Sequence, residues 1–122
     1  MSVIGAPLSL GGVSFDLLWT NPSPSSSFAA QTVSVDLSDY SYFIVDCLFY
    51  TGDQDLFIPW SFFPVDEKKH YLQISNDTVN RTGGRTASYN DANKKISFAA
   101  AHYNGATNNG YIIPFRIYGI KI

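Results

Sequence analysis

Residues 40–51 read YSYFIVDCLFYT, and the two faces of this run decide the fold. Phe43, Val45, Cys47 and Phe49 alternate on one side, while Tyr42, Ile44, Leu48 and Tyr50 line the other, with Asp46 the interruption. Alternation by two is strand geometry. A strand apolar on both faces is either central in a sandwich or covered by a neighbouring subunit. The C-terminal run Tyr111–Ile122 has the same double-sided character.

Outward from this strand, helical periodicity is almost absent. Gly and Pro punctuate the chain, and β-branched and aromatic residues fill the intervals. Strands are predicted at Phe15–Thr20, Phe28–Leu37, Tyr40–Thr51, Leu56–Phe63, His70–Ser75, Arg85–Asn90, Lys95–Ala100 and Tyr111–Ile122. In the second, Val33, Val35 and Leu37 share a face. Pro59 marks the fourth as an edge strand or a bulge. NDTVNRTGG and Asn90–Asn93 read as turns, and Asn104-Gly105 and Asn109-Gly110 as hairpin signals. About eight strands at this spacing predict an all-β fold, an antiparallel β-sandwich of jelly-roll-like type. Residues 1–14 read as an N-terminal arm and 15–122 as a single domain.

Only 15% of residues are charged and the net charge is −2, so capture of nucleic acid through a basic patch is not expected. No run of 18 apolar residues predicts a membrane span, and MSVIGAPLSLGG lacks the basic start of a signal peptide. Cys47 is the lone cysteine. It reads as a buried small hydrophobe without disulfide or metal partner.

Two blocks carry a resemblance: LLWTNPSPSSSFAAQTVSVDLSDY (17–40) and IPFRIYGIK (113–121). They resemble a module found at the C-terminal end of phage and prophage tail-fibre and minor structural proteins. Its members read LWTN-P-SFAAQT-(V/I)-S-(V/L)-DLS-Y near the start and IP-x-(K/R)-IYGIK at the end. The resemblance implies a virion component assembled in the bacterial host cytoplasm, a β-sandwich, and a homotrimer, with host-surface binding as the commonest use. Residues 52–110 match nothing in that pattern. A fibre tip normally follows a long shaft, whereas here about a dozen residues precede the first strand. A free-standing structural protein and an excised tip are both compatible with that. The double-sided strands are an independent reason to expect an oligomer, because their outer faces need cover.

No catalytic constellation is legible, and neither a cofactor nor a metal is expected. Asp53 and Asp55 read as turn formers in GDQD, and Asp46 as a polar position near a sheet edge or a subunit boundary, paired with Arg or a tyrosine hydroxyl. His70 reads as an exposed strand-end histidine. A neutral polyhydroxylated ligand is recognised by aromatic faces completed by amides and Arg. The predicted ligand-binding residues are therefore Arg81 and Arg85 around Gly83-Gly84, and His102, Tyr103, Asn104, Asn108 and Asn109 in the late loop. Trp60, Phe62 and Phe63 read as core or interface, and Trp19 and Tyr118 as packing residues. The functional expectation is a non-enzymatic receptor-binding tip module of a tail fibre or baseplate, with a host cell-surface glycan as ligand. The alternative is a capsid decoration, head-fibre or collar protein that binds other virion proteins, with VIGAPLSL inserted into the partner.

Overall fold

The computed structural model describes residues 8–10 and 12–122. Among them there is no helix, and hence none long and apolar enough to cross a membrane. The strands are β1 (Leu8–Leu10), β2 (Val13–Thr20), β3 (Gln31–Ser34), β4 (Tyr42–Tyr50), β5 (Asp53–Phe57) and β6 (Ser61–Pro64). They continue with β7 (Lys69–Asn76), β8 (Arg81–Asn90), β9 (Lys95–Phe98), β10 (His102–Tyr103), β11 (Ala106–Thr107) and β12 (Tyr111–Lys121). One sheet has the order β1-β2-β12-β4-β5, with β6 also on β4. The other runs β11-β10-β8-β9-β3, with β7 on the free side of β8.

The result is the antiparallel β-sandwich that the alternation predicts. β2 pairs with β12 and β3 with β9, so strands far apart in sequence are neighbours in both sheets. Other pairings are local. β4 turns directly into β5, and β7, β8 and β9 form a local meander.

Between the sheets, Val33, Leu37, Phe43, Val45, Cys47, Leu72, Ile74, Ala87, Ile96, Phe98, Ile113 and Ile117 form one buried cluster. Each large aliphatic or aromatic side chain so buried stabilises the fold by about 1.5–3 kcal/mol. Cys47 sits in this cluster, and burial pushes its thiol well above the ordinary range.

The double-sided strand is central, as its composition demands: β4 lies between β12 and β5/β6. Most of its outer face is buried within the chain itself. Ile44 is flanked by Tyr118 of β12 and Phe62 of β6 in one row, and Trp60 packs on Tyr118 at 5.3 Å. Asp46, 1% exposed, accepts from Arg116 Nε (2.9 Å) and Nη2 (2.7 Å), so it has the expected arginine partner, but it lies inside the sheet on a central strand and not near an edge. Arg116 in turn stacks on the Phe115 and Phe57 rings.

Several local expectations are corrected. The predicted strand at Leu56–Phe63 is broken into β5 and β6 at Pro59, where Ile58 N–H still reaches Cys47 O at 3.0 Å. Phe28–Leu37 is strand only over Gln31–Ser34, although Val33, Val35 and Leu37 keep their shared inward side. The arm's boundary moves, because Val13 and Ser14 belong to β2 and pair with Leu10 and Ser9. Residues 1–7 and 11, which hold most of VIGAPLSL, lie outside the described residues. Gly83-Gly84 is not a turn. It lies within β8, and the turn is Asp77–Asn80, closed by a positive φ of 52° at Asn80. Asn104-Gly105 makes the expected two-residue hairpin with φ of 53° and 82°. Asn109-Gly110 is a turn, with Tyr111 N–H reaching Asn108 O at 3.4 Å, but it leads into β12 without closing a hairpin. His70 is not exposed: its ring stacks on Phe63 at 5.2 Å and its Nε2 meets Asp66 at 2.6 Å.

The two sequence blocks at the chain ends are neighbours in space, since β2 and β12 are hydrogen-bonded partners. Asn21, buried just after β2, donates from Nδ2 to Pro114 O (2.8 Å) and accepts Ser23 N–H at Oδ1 (2.8 Å). The NPSPSSS segment is therefore fastened at its root, and Phe28 returns to the core against Trp19 and Phe98. Asn21→Ala, which orphans a buried carbonyl, is expected to lower stability by about 1–2 kcal/mol, read as a shift in a urea-unfolding midpoint at constant slope.

Candidate functional site

A cleft of about 710 Å³ opens where an edge of one sheet faces an edge of the other. One wall is the end of β4 with β5 and the Pro59 bend: Phe49, Tyr50, Asp53, Leu56, Phe57, Ile58 and Pro59. The opposite wall is the second half of β7 with its turn: Gln73, Ile74, Ser75, Asn76, Asp77 and Thr78. Both walls are edge strands by topology, since β5 pairs only with β4 and β7 only with β8. Such edges template aggregation unless broken by charge or proline. On the β5 side, Asp53, Asp55 and Pro59 supply those breaks.

The lining rings are Phe49, Tyr50 and Phe57, and the first two are backed by rings that do not line the cleft. Tyr111 stacks on Tyr50 (5.5 Å, 22°) and on Tyr103 (4.0 Å, 5°), and Phe49 meets Tyr111 edge-on at 5.9 Å. Gly83 makes room for Tyr103: a Cβ there would come within 2.5 Å of His102 O and 3.2 Å of the Tyr103 Cα. Asn76 Nδ2 reaches Tyr103 Oη at 3.4 Å, tying the cleft rim to the late loop. Phe57, 38% exposed, is the most accessible ring of the lining and packs on Phe115 at 5.6 Å.

The polar groups are amides, hydroxyls and two carboxylates. On the β7 wall Gln73 and Ser75 alternate with the buried Leu72 and Ile74 and are exposed, as is Asp77 in the turn. Asp53 Oδ1 accepts the Asp55 N–H at 3.0 Å, the turn-forming role its sequence context predicts. No Lys, Arg or His lines the cleft.

Of the residues predicted to bind a ligand, the structure brings one to this place, and behind its wall: Tyr103, buried against Tyr111. Arg81 stands on β8 opposite Asn76, one strand inward from the cleft. His102, Asn104 and Asn108 are exposed in the late loop, where Asn108 Oδ1 accepts Gly110 N–H (3.1 Å). Asn109 is structural, as its Oδ1 accepts Ala101 N–H (3.0 Å) and its carbonyl accepts Phe28 N–H (2.8 Å). Arg85 is a correction. It is 1% exposed and points between the sheets, where Nη1 donates to Phe28 O (2.9 Å) and Ala99 O (3.1 Å) and Nη2 to Tyr111 O (3.1 Å). The late loop is thus anchored by Arg85 and not completed by it.

The cleft residues escaped the sequence reading because Tyr50–Pro59 and Gln73–Thr78 are separate hairpin edges. Nothing local says that they face each other. A second hollow of about 260 Å³ is lined by Ser38, Tyr40, Val65, Asp66, Glu67, Tyr89 and Asp91. Its acids are already engaged: Asp66 by His70 and the Lys68 N–H, Asp91 by Tyr89 Oη and Lys94 Nζ. These bonds hold both carboxyls below their ordinary range. Among the described residues no group of three His, Cys, Asp or Glu is placed to hold a metal.

The chain matches no family model, no curated protein and no solved structure.

Proposed function

We propose that this chain is a non-catalytic receptor-binding module of a phage or prophage tail-fibre tip or baseplate, a homotrimer in the virion, that holds a host cell-surface glycan in the β5–β7 cleft. The observation that carries the reading is the cleft itself: lining aromatic rings beside exposed amide, hydroxyl and carboxylate groups, the composition that saccharide recognition requires. The resemblance of residues 17–40 and 113–121 supports the virion setting.

One observation favours the alternative of a decoration, head-fibre or collar protein. The outer face of the β1-β2-β12-β4 sheet carries Leu17, Tyr42, Trp60 and Phe62, the last 59% exposed, around Tyr118. Exposed aromatic patches of this kind mark protein contacts, and the trimer contact or a virion partner would use it.

The deciding experiment compares binding of purified protein to bacterial cells and to virions lacking it. Saturable binding to cells, at least tenfold weaker for Phe57→Ala or Gln73→Ala, is expected. Saturable binding to virions with none to cells would overturn the receptor reading in favour of the alternative.

A further inference from the structure

We infer that the cleft selects a sugar unit that is uncharged or carries an amine, and rejects units bearing phosphate, carboxylate or sulfate. This rests on the glycan-binding reading above and goes further by fixing the charge class of the ligand.

Two carboxylates stand on opposite walls, Asp53 at the start of β5 and Asp77 in the turn after β7, and no cationic side chain lines the space between. Two of the nearby arginines are engaged elsewhere, and the exposed Arg81 stands opposite Asn76, one strand inward, and does not line the cleft. Arg85 is committed to three backbone carbonyls inside the sandwich, and Arg116 to Asp46 and to the Phe115 and Phe57 rings. An anionic sugar would lose hydration on entry and meet two carboxylates and no cation among the lining side chains, a repulsion that strengthens as the local dielectric falls. A neutral sugar meets none of this. Carboxylates accept hydrogen bonds from hydroxyl groups, charge-assisted bonds about twice as strong as neutral ones. An ammonium group on the sugar would add direct attraction.

The apolar contact is equally suited. Phe57 is held from one side by Phe115 and Arg116, and Tyr50 by Tyr111. Rings that are already immobile lose little conformational entropy when a pyranose stacks on them.

The test is an array of neutral, amino-bearing and anionic oligosaccharides, among them chitotriose, its de-N-acetylated form, trigalacturonate and glycerol-phosphate oligomers. It is probed with the full chain and with Asp53→Asn/Asp77→Asn. Binding is expected only among neutral and amino members, with anionic members at least tenfold weaker. The double variant should narrow that gap while its melting temperature stays that of the wild type. Binding confined to anionic members, or a preference unchanged in the double variant, overturns the charge assignment. If Phe57→Ala still abolishes that binding, the glycan-binding cleft itself survives. An array on which no saccharide binds overturns both the charge assignment and the choice of a glycan.

Discussion

Arg85→Ala is expected to lower stability by about 3–5 kcal/mol, a fall in melting temperature of roughly 12–20 °C for a chain of this size. The guanidinium is a buried cation with no carboxylate against it. It is held by the carbonyls of Phe28, Ala99 and Tyr111 and by the Phe28 ring 5.2 Å away, while Nε has no partner. Burial pushes its pKa down to about 10, so it remains charged at neutral pH. Truncation orphans three carbonyls from three separate segments and leaves a cavity, and the two costs add. The Tyr111 carbonyl matters most, because it directly precedes Ile112, a buried β-branched residue at a φ of 51°. That left-handed conformation costs on the order of 1–3 kcal/mol and persists only where its surroundings hold it. Arg85→Met keeps most of the volume and separates the two costs. Arg85→Lys keeps the charge, yet one ammonium cannot span three carbonyls that a planar fork reaches. It should recover less than half of the loss. An Arg85→Ala protein melting within about 3 °C of wild type would show that the clamp is idle.

Arg85 also shows where reading a sequence by residue class goes astray. Arginine beside a Gly-Gly pair suggests a solvated turn. The period of two gives the other answer: Arg85, Ala87 and Tyr89 share one side of β8, and Ala87 and Tyr89 are buried. Strand parity was the stronger signal, and charge obscured it. For β4 parity grouped Phe43, Val45 and Cys47 on one face, but the other face was apolar too, and it is the packing of the second sheet that puts this group in the core.

The sandwich was legible because alternation and turn residues are local properties, each repeated many times along the chain. The cleft was not, since it depends on how two sheet edges diverge, and edge geometry is set by the packing of all the strands between them. Tyr50 and Asp77 each look ordinary in their own segments. Only the sandwich places them across one gap. On the outer face of β4, Ile44, Asp46 and Leu48 are buried within the chain while Tyr42 is exposed beside Phe62, so alternation alone could not tell which of these positions need outside cover.

Gly119→Ala is expected to cost about 1–3 kcal/mol through overpacking, although alanine in a strand is otherwise favoured over glycine. A Cβ at this position would lie 2.6–2.8 Å from Cδ1, Cγ and Cε1 of Tyr40. Those atoms are near the root of the ring and cannot swing aside. The ring is pinned at both ends: Tyr40 N–H donates to Leu37 O (3.0 Å), and Oη donates to Asp16 Oδ2 (2.7 Å). Lys121 lies over its face at 5.3 Å. Tyr40 closes the first sequence block and Gly119 sits in the second, so the two blocks are complementary halves of one contact. A double-mutant cycle tests this: in a Tyr40→Ala background, Gly119→Ala should cost nothing measurable, giving a coupling close to the whole single-mutant effect. Additive losses would sink the contact as the reason for the glycine. The phenol offers an independent check. Burial first, and then Asp16, raises its pKa from 10 to about 12. A folded value above the unfolded one gives stability that is complete below pH 10 and lost as pH rises toward 12. The stability difference between wild type and Tyr40→Phe should therefore hold constant to pH 10 and shrink above it, which chemical denaturation across that range would record.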